Sequence, residues 1–311
     1  MRIALVDPNE ATLEHVSRLL EARGHAVLRF RDERAALAAI ETDAGIEAMI
    51  ASTELNSMSG FELCWETRLL ATCRRPIYVL LMSSRLDERS LIEALDSGAD
   101  DFIGNPPLPE ELYARLRAAE RIAGMQRELI RLATTDPLTG LCNRRGFFEL
   151  ATEACERTPR PGEISAILLD IDNFKRINDD YGHDTGDEAI RACARIAQSE
   201  SGLVGRLGGD EFALLLEESA LPEALAVAED LRLRLSERPV ETSKGLIPLT
   251  CSFGVSDAKP GDSIDKILCR ADEALYQAKL GGRNRVGFLR QQQAEVAGVA
   301  PSGEESLCFS T

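Results

Sequence analysis

No apolar run in the 311 residues approaches the roughly 20 that span a bilayer, which excludes a membrane-spanning helix. The start, MRIALVDPNE, reaches Asp7 after a short apolar stretch and lacks the form of a secretory signal, so a cytoplasmic protein is expected. Basic residues are in deficit: 36 Lys and Arg stand against 52 Asp and Glu, a formal net charge of -16. That argues against broad binding to nucleic acid, which needs a basic surface, and against an anionic membrane surface. A nucleotide is still a possible ligand, because cations and a few local bases can neutralise its phosphates. The eight cysteines contain no C-x-x-C pair and are joined by only three histidines. A zinc site or a disulfide framework is therefore not expected, and the cysteines read as small buried thiols in a reducing compartment.

What is present is enough for about two domains of ordinary size, with 44% hydrophobic residues to fill their cores. Over the first ~115 residues, short apolar runs alternate with amphipathic stretches. RIALV, AVLRF, IEAMIAS, IYVLLMS and DDFIG read as strands; ATLEHVSRLLEARG, ERAALAAIET, FELCWETRLL, ERSLIEALDSG and PEELYARLRAAERI read as helices. That alternation predicts a doubly wound parallel sheet covered on both faces.

The order resembles a response-regulator receiver domain over residues 1–118, of flavodoxin-like fold. LVDPNE lies where that family places an acidic pair, MSGFELC matches the segment after its phosphorylated loop, and SGADDFIGNPP matches the end of its fifth strand. Three positions depart from the pattern. Ser52 stands where the phosphoacceptor aspartate is expected, Pro8 replaces the second acid beside Asp7, and Asn105 replaces the lysine before proline. Serine cannot form an acyl phosphate, a lone carboxylate is a weak site for a hard cation, and no ammonium is left to pair with a phosphoryl group. Ser83 or Ser84 remains as the switch hydroxyl. The expectation is a degenerate receiver that does not take phosphate by this chemistry and serves dimerisation or a protein partner.

Residues 119–133 read as a linker helix. Ala118, Ile122, Met125, Leu129 and Leu132 recur at spacings of four, three, four and three, a seam of about two heptads. The alternative is an amphipathic helix packed on its own domain. The tail 291–311 is polar, small and aperiodic, and reads as disordered.

In the second half, AILLDID reads as a buried strand with Asp170 at its functional end, and GLVGRLGGDEFALLL as strand, Gly-Gly turn and strand. Gly208 and Gly209 tolerate positive φ and let a backbone approach a phosphate. Asp210 and Glu211 then stand beside Asp170, where three carboxylates repel unless a cation sits among them. On its own, GGDE reads as a solvated hairpin tip.

Five segments in order, TTDPLTGLCNRRGFF, LLDIDNFKRINDDYGHDTGDEAI, GRLGGDEFALLL, LTCSFGVSDA and RADEALYQAKLGGRNRV, closely resemble the GGDEF domain of diguanylate cyclases. The resemblance covers residues 134–290 and implies a nucleotidyl-cyclase-like α/β domain with a ferredoxin-like core. It also implies that a homodimer joins two GTP into cyclic di-GMP with release of two pyrophosphates, using two Mg2+ (or Mn2+) per active site. By the same resemblance Asp170, Asp210 and the Ile171 carbonyl hold metal, and Asp210, with Glu211 as its rival, helps to deprotonate the attacking hydroxyl. Lys175 lies near the reacting phosphate, and Lys279 and Arg283 grip the terminal phosphates. Asn178 and Asp187 read guanine; an aspartate accepts from both N1–H and N2–H2 but meets a lone pair on adenine, so GTP is preferred over ATP.

Phe174 is expected to pack beneath the nucleotide, and His183 reads as structural more than catalytic. Asp136, Asn143 and Arg144 are expected to hold the domain's N-terminal turn, with Asp136 a candidate helix N-cap. The R-x-x-D product site of many relatives is absent: SESG, Ser199 to Gly202, stands there. A catalytically silent GGDEF module, acting as nucleotide sensor or interaction platform, is the competing reading.

Overall fold

A computed structural model of the chain describes residues 1–71, 75–157, 163–237 and 239–289; the expected disordered tail lies outside them. These residues divide into two compact units, Met1–Arg131 and a second beginning at Leu132.

In the first unit, strands and helices alternate as β1 (Arg2–Val6), α1 (Glu10–Glu21), β2 (Ala26–Phe30), α2 (Glu33–Thr42), β3 (Ala48–Ser52), α3 (Gly60–Leu70), β4 (Tyr78–Ser83), α4 (Glu88–Asp96), β5 (Asp101–Gly104) and α5 (Pro109–Thr134). The sheet is parallel throughout, in the order β2-β1-β3-β4-β5. The helix starts are written locally. Asn9, Asp32, Ser59 and Asp87 each accept a backbone N–H from the first turn they precede, and Ser59 forms a reciprocal capping box with Glu62. Strands β3 and β4 are buried along their whole length, as a central parallel sheet requires.

The two helical stretches read around residue 118 form the single helix α5. Its stripe Leu112, Leu116, Ala119 and Ala123 is buried. The heptad seam is a different stripe: Ala118 is half-buried, while Ile122, Met125, Leu129 and Leu132 are exposed at 40%, 61%, 64% and 60%.

The second unit contains β6 (Cys142–Asn143), α6 (Arg144–Arg157), β7 (Ile164–Ile171), α7 (Phe174–Tyr181), α8 (His183–Ala197), β8 (Leu203–Gly208), β9 (Glu211–Glu217), α9 (Leu221–Glu237), β10 (Val240–Thr242), β11 (Gly245–Ile247), β12 (Cys251–Asp257), α10 (Ile264–Leu280) and β13 (Val286–Phe288). Its six-stranded sheet has the order β13-β12-β7-β9-β8-β6. The four inner strands pair antiparallel, and their connectivity is that of a ferredoxin-like core.

All eight residues of β7 are buried, because helices cover both faces. Ile167, Leu169 and Ile171 enter the core with α8 and α9, while Ala166 and Leu168 enter the core with α6 and α10. Alternation along the strand therefore turns Asp170 toward the α10 side. Of the six described cysteines, Cys64, Cys193 and Cys251 are buried, Cys142 and Cys155 partly so, and Cys269 is exposed.

Candidate functional site

Four elements of the second unit meet at the C-terminal end of β7. Asp170 is opposite Glu211 in the β7–β9 ladder, and the Ile171 N–H donates to the Asp210 carbonyl at 3.4 Å. The turn between β8 and β9 consists of Gly209 and Asp210, with Gly208 paired to Glu211. Gly209 takes φ 52°, a left-handed value that glycine adopts without strain. So Asp210 sits in the turn itself, and Glu211 opens the strand.

Arg206 fixes this turn. Its guanidinium donates to the Gly209 carbonyl at 2.9 and 2.7 Å and to both carboxylate oxygens of Asp136 at 3.2 and 3.1 Å. Asp136 also accepts from the Thr139 N–H and hydroxyl. Burial works to raise the Asp136 carboxyl, but the Thr139 and Arg206 bonds outweigh it and hold it below its usual range. Asp136 therefore closes a turn and an ion pair and does not cap a helix. Asn143 ties the same region, donating to the Ala133 carbonyl and accepting from the Gly146 N–H.

The electrostatics of the strand end are unfavourable to bare carboxylates. Burial pushes the Asp170 carboxyl up to about 6; Asp210 and Glu211 add to the rise, and Lys279 opposes it. Burial also raises Asp210. Lys279 Nζ, from the last turn of α10, lies 2.8 Å from Asp170 Oδ2. Among the described residues no three His, Cys, Asp or Glu side chains converge as a metal-ligand set. The carboxylates of Asp170 and Asp210 are neighbours instead, and such hard oxygen donors suit a hydrated divalent cation with positions left for phosphate oxygens.

A second feature lies between α7 and α8. Asn178 Oδ1 is buried and has no hydrogen-bond partner among the described residues. A Cβ on Gly186 would lie 1.9 Å from that oxygen and 3.2 Å from the Phe174 ring. Phe174, Asn178 and Gly186 thus form one packed group, with Asp187 next on α8 and half-buried. The start of α7 has no side-chain cap. Lys175, His183 and Arg283 are exposed, and His183 lines a separate cavity of about 290 Å³ with Tyr181, Ser243 and Lys244.

Ser199 and Gly202 follow α8. The Ser199 hydroxyl accepts from Arg234, whose guanidinium also binds Glu200 and Asp230. That arginine is already paired.

In the first unit, Asp7, Ser52 and Asn105 meet at the strand ends. Asn105 Nδ2 donates to Asp7 Oδ2 at 3.1 Å and to Ser52 Oγ at 3.4 Å. Asp7 and Ser52 are each 2% exposed. Burial raises the Asp7 carboxyl, against its bonds from Asn9 and Asn105. Glu33, 1% exposed, accepts from the Asn56 N–H at 2.6 Å and from the Ser57 N–H and hydroxyl at 3.2 and 2.8 Å, so the loop after β3 is pinned to α2. Ser83 is buried and accepts from the Arg85 N–H; Ser84 donates to Glu54.

The comparisons agree with this architecture. Residues 133–285 match the family described as "Diguanylate cyclase, GGDEF domain", and residues 3–117 match the response regulator receiver domain. The chain belongs to the GGDEF family and carries a receiver domain.

It is 34% identical to the response regulator PleD of Caulobacter vibrioides over 299 residues, 92% of this chain and 65% of PleD. It is 42% identical over 177 residues to a diguanylate cyclase of Vibrio cholerae, covering 55% of this chain and 54% of that protein. The chain thus spans less than two thirds of these curated relatives. A crystal structure of the coiled coil and GGDEF domain of DgcB from Caulobacter crescentus, in complex with c-di-GMP, aligns at TM-score 0.54 and 34% identity, covering 58% of this chain and 98% of that one. No helix among the described residues is long and apolar enough to cross a membrane.

Several residues that shape the GGDEF site escaped the sequence reading. Asp172, 5% exposed, accepts from Thr250 Oγ1 at 2.9 Å, Ser252 Oγ at 2.7 Å and the Asn284 N–H at 2.9 Å. Arg206 and Gly186 are the others. The only signal in the sequence was the second acid of the D-x-D pair, which marks a position without naming its partner.

Proposed function

We propose that this chain is a homodimeric diguanylate cyclase, condensing two GTP into cyclic di-GMP with release of two pyrophosphates. The observation that carries the proposal is the cluster at the end of β7: buried Asp170 beside Ile171, Asp210 and Glu211, with Lys279 2.8 Å away. Asp170, Asp210 and the Ile171 carbonyl would hold Mg2+ or Mn2+. When bound, the ion would neutralise phosphate charge and make a coordinated hydroxyl more acidic.

The chain's own residues supply the rest. Asn178, with its unpartnered oxygen, and Asp187 read the guanine edge, and Phe174 packs below it. The uncapped start of α7 offers main-chain N–H groups to phosphate oxygens, and Lys175, Lys279 and Arg283 offer cations. Each 3′ oxygen bonds to the α-phosphorus of the facing nucleotide, the bond from that phosphorus to the bridging oxygen breaks, and pyrophosphate leaves. The hydroxyl proton passes to Asp210 or Glu211, the two carboxylates on the hairpin. The facing arrangement needs two copies, and the exposed seam of α5 is the surface that suits a parallel two-stranded helix. The receiver serves dimerisation or a protein partner.

Purified protein with GTP and Mg2+, analysed by chromatography with mass detection, tests the reading. Cyclic di-GMP and pyrophosphate are expected, lost in Asp210→Ala and falling more than linearly on dilution. GTP bound but unchanged at every concentration would favour the silent nucleotide-sensing module.

A further inference from the structure

The loop after α10 carries an unusual backbone. Arg283 (φ 59°) and Asn284 (φ 45°) are consecutive non-glycine residues in the left-handed region. Asn tolerates that region; arginine seldom enters it. Such a pair persists only where the surroundings over-determine it.

Here they do, from three elements. The Asn284 N–H donates to Asp172 Oδ2 at 2.9 Å, and Asp172 is itself held by Thr250 and Ser252 at the start of β12. Asn284 Oδ1 accepts from Arg232 of α9 at 3.1 Å. Arg232 is oriented by a two-pronged contact to Glu229, at 2.9 and 2.7 Å. The Arg283 N–H returns to the Ala278 carbonyl at 3.2 Å, and its carbonyl accepts from Arg285 Nε at 3.2 Å. The backbone of Arg283 is thus tied on both sides, while its exposed guanidinium makes no hydrogen bond or ion pair among the described residues.

Asp172 stands two positions beyond Asp170, so the bond to Asn284 fastens the Arg283 loop to the strand end that bears the acidic cluster. A clasp that served only to close the loop would have no need of a strained arginine; a glycine there would close it with less strain.

We infer that Asp172, Asn284 and Arg232 are positioning residues that hold Arg283 in its left-handed conformation, its guanidinium free to meet the terminal phosphates of the nucleotide. This rests on the reading of Arg283 as a phosphate-binding cation. Asn284 is the joint of the device, because its amide faces Asp172 while its side chain faces Arg232.

The test is equilibrium binding of α,β-methylene-GTP and of GMP to the full chain with Mg2+, for Arg283→Ala, Asn284→Ala, Asn284→Gly, Arg232→Gln and the Arg283→Ala/Asn284→Ala double variant. Losing one well-placed charged contact predicts about a tenfold weaker triphosphate affinity for Asn284→Ala, with GMP unchanged. Asn284→Gly should lose less, since glycine keeps the left-handed conformation. In the Arg283→Ala background, Asn284→Ala should add nothing, because coupled residues are not additive. Arg232→Gln should show the same triphosphate-selective loss and carries the test if the Asn284 variants do not fold. Equal losses for GMP and the triphosphate, or full additivity with Arg283→Ala, would overturn the positioning role. If Arg283→Ala leaves triphosphate binding intact, the phosphate reading of Arg283 falls and the inference with it; if the wild type binds no guanine nucleotide, the cyclase reading falls first.

Discussion

Lys279 Nζ and Asp170 Oδ2 are 2.8 Å apart, a cation from α10 resting on the carboxylate assigned to metal. The lysine neutralises the most buried member of an acidic cluster, and it is also assigned to the terminal phosphates. These two partners compete for it. Binding of nucleotide would draw the ammonium away and free Asp170 for the ion.

It follows that Lys279→Met should bind Mn2+ without nucleotide about tenfold more tightly than the wild type, since a nearby like charge is removed from the ion's site. The same variant should bind GTP more weakly. Free Mn2+ measured by electron paramagnetic resonance at pH 8 gives the first number. An affinity equal to or below that of the wild type would show that Lys279 does not guard Asp170.

The Asp170 carboxyl makes the second case. Its folded value, about 6, lies above the ordinary carboxylate value of 3.8. In the folded chain Asp170 therefore holds its proton at a pH where the unfolded chain has lost it. Stability from this group falls as pH rises from about 4 to about 6, and above that window the buried charge is a standing cost of up to about 3 kcal/mol. Asp170→Asn should raise the melting temperature at pH 7 in chelator, with the gain gone by pH 4, while abolishing product formation. Lys279 loses its partner in that variant but is a third exposed and can be solvated. A variant less stable than wild type at pH 7 would refute this account of the shift.

Much of this site is legible in the sequence, and the rest fails for a physical reason. An apolar run ending in acids marks β7 and Asp170, and Gly-Gly between apolar runs marks the hairpin, because both signals are local. The strand–helix alternation of the receiver is legible on the same ground. The partners of buried polar groups are not: Asp172 and Asn284 are 112 residues apart, and Arg206 and Asp136 are 70 apart. No periodicity encodes such a meeting. The seam of α5 is visible as spacing, but spacing alone did not separate it from the neighbouring stripe that packs on the receiver sheet.

Arg206 and Asp136, 14% and 16% exposed at their side chains, give a further expectation. Removing one partner of a largely buried ion pair leaves the other's charge uncompensated, at about 2 kcal/mol or more. Arg206→Ala also frees the Gly209 carbonyl, so the turn carrying Asp210 should loosen. Amide hydrogen exchange across residues 207–211 should rise selectively, with a fall in kcat larger than any rise in KM. Unchanged exchange in the hairpin would mean that the β8–β9 ladder alone sets the turn.

The receiver offers an expectation of silence. Asn105 occupies Asp7 and Ser52 at once, and Glu33 pins Asn56 and Ser57, so the carboxylate and hydroxyl at the strand ends and the loop beside them are already engaged without a phosphoryl group. Beryllofluoride and acetyl phosphate, each with Mg2+, should leave the receiver's amide spectrum and the rate of product formation unchanged. An acid-stable-negative, base-labile phosphoprotein mapped to residues 1–118 would defeat this reading, and would show that another carboxylate accepts the group.

The proposed guanine site gives the sharpest single substitution. Gly186 lies inside α8, where alanine is the better helix former by about 1 kcal/mol, so helix propensity alone favours Gly186→Ala. Its methyl, however, would lie 1.9 Å from Asn178 Oδ1 and 3.2 Å from the Phe174 ring. The helix cannot yield there without moving Thr185 and Ala189, both buried. Asn178 must therefore turn away, and it is the side chain whose oxygen has no partner among the described residues and is proposed to meet the base. Gly186→Ala should retain a cooperative thermal transition while weakening GTP binding by about 100-fold or more, the cost of losing a hydrogen-bonding group and its fit together. Asn178→Ala, which removes the clashing oxygen, should weaken GTP binding on its own, and adding Gly186→Ala to it should cost much less than in the wild type. Independent losses from the two changes would place the base somewhere other than between α7 and α8.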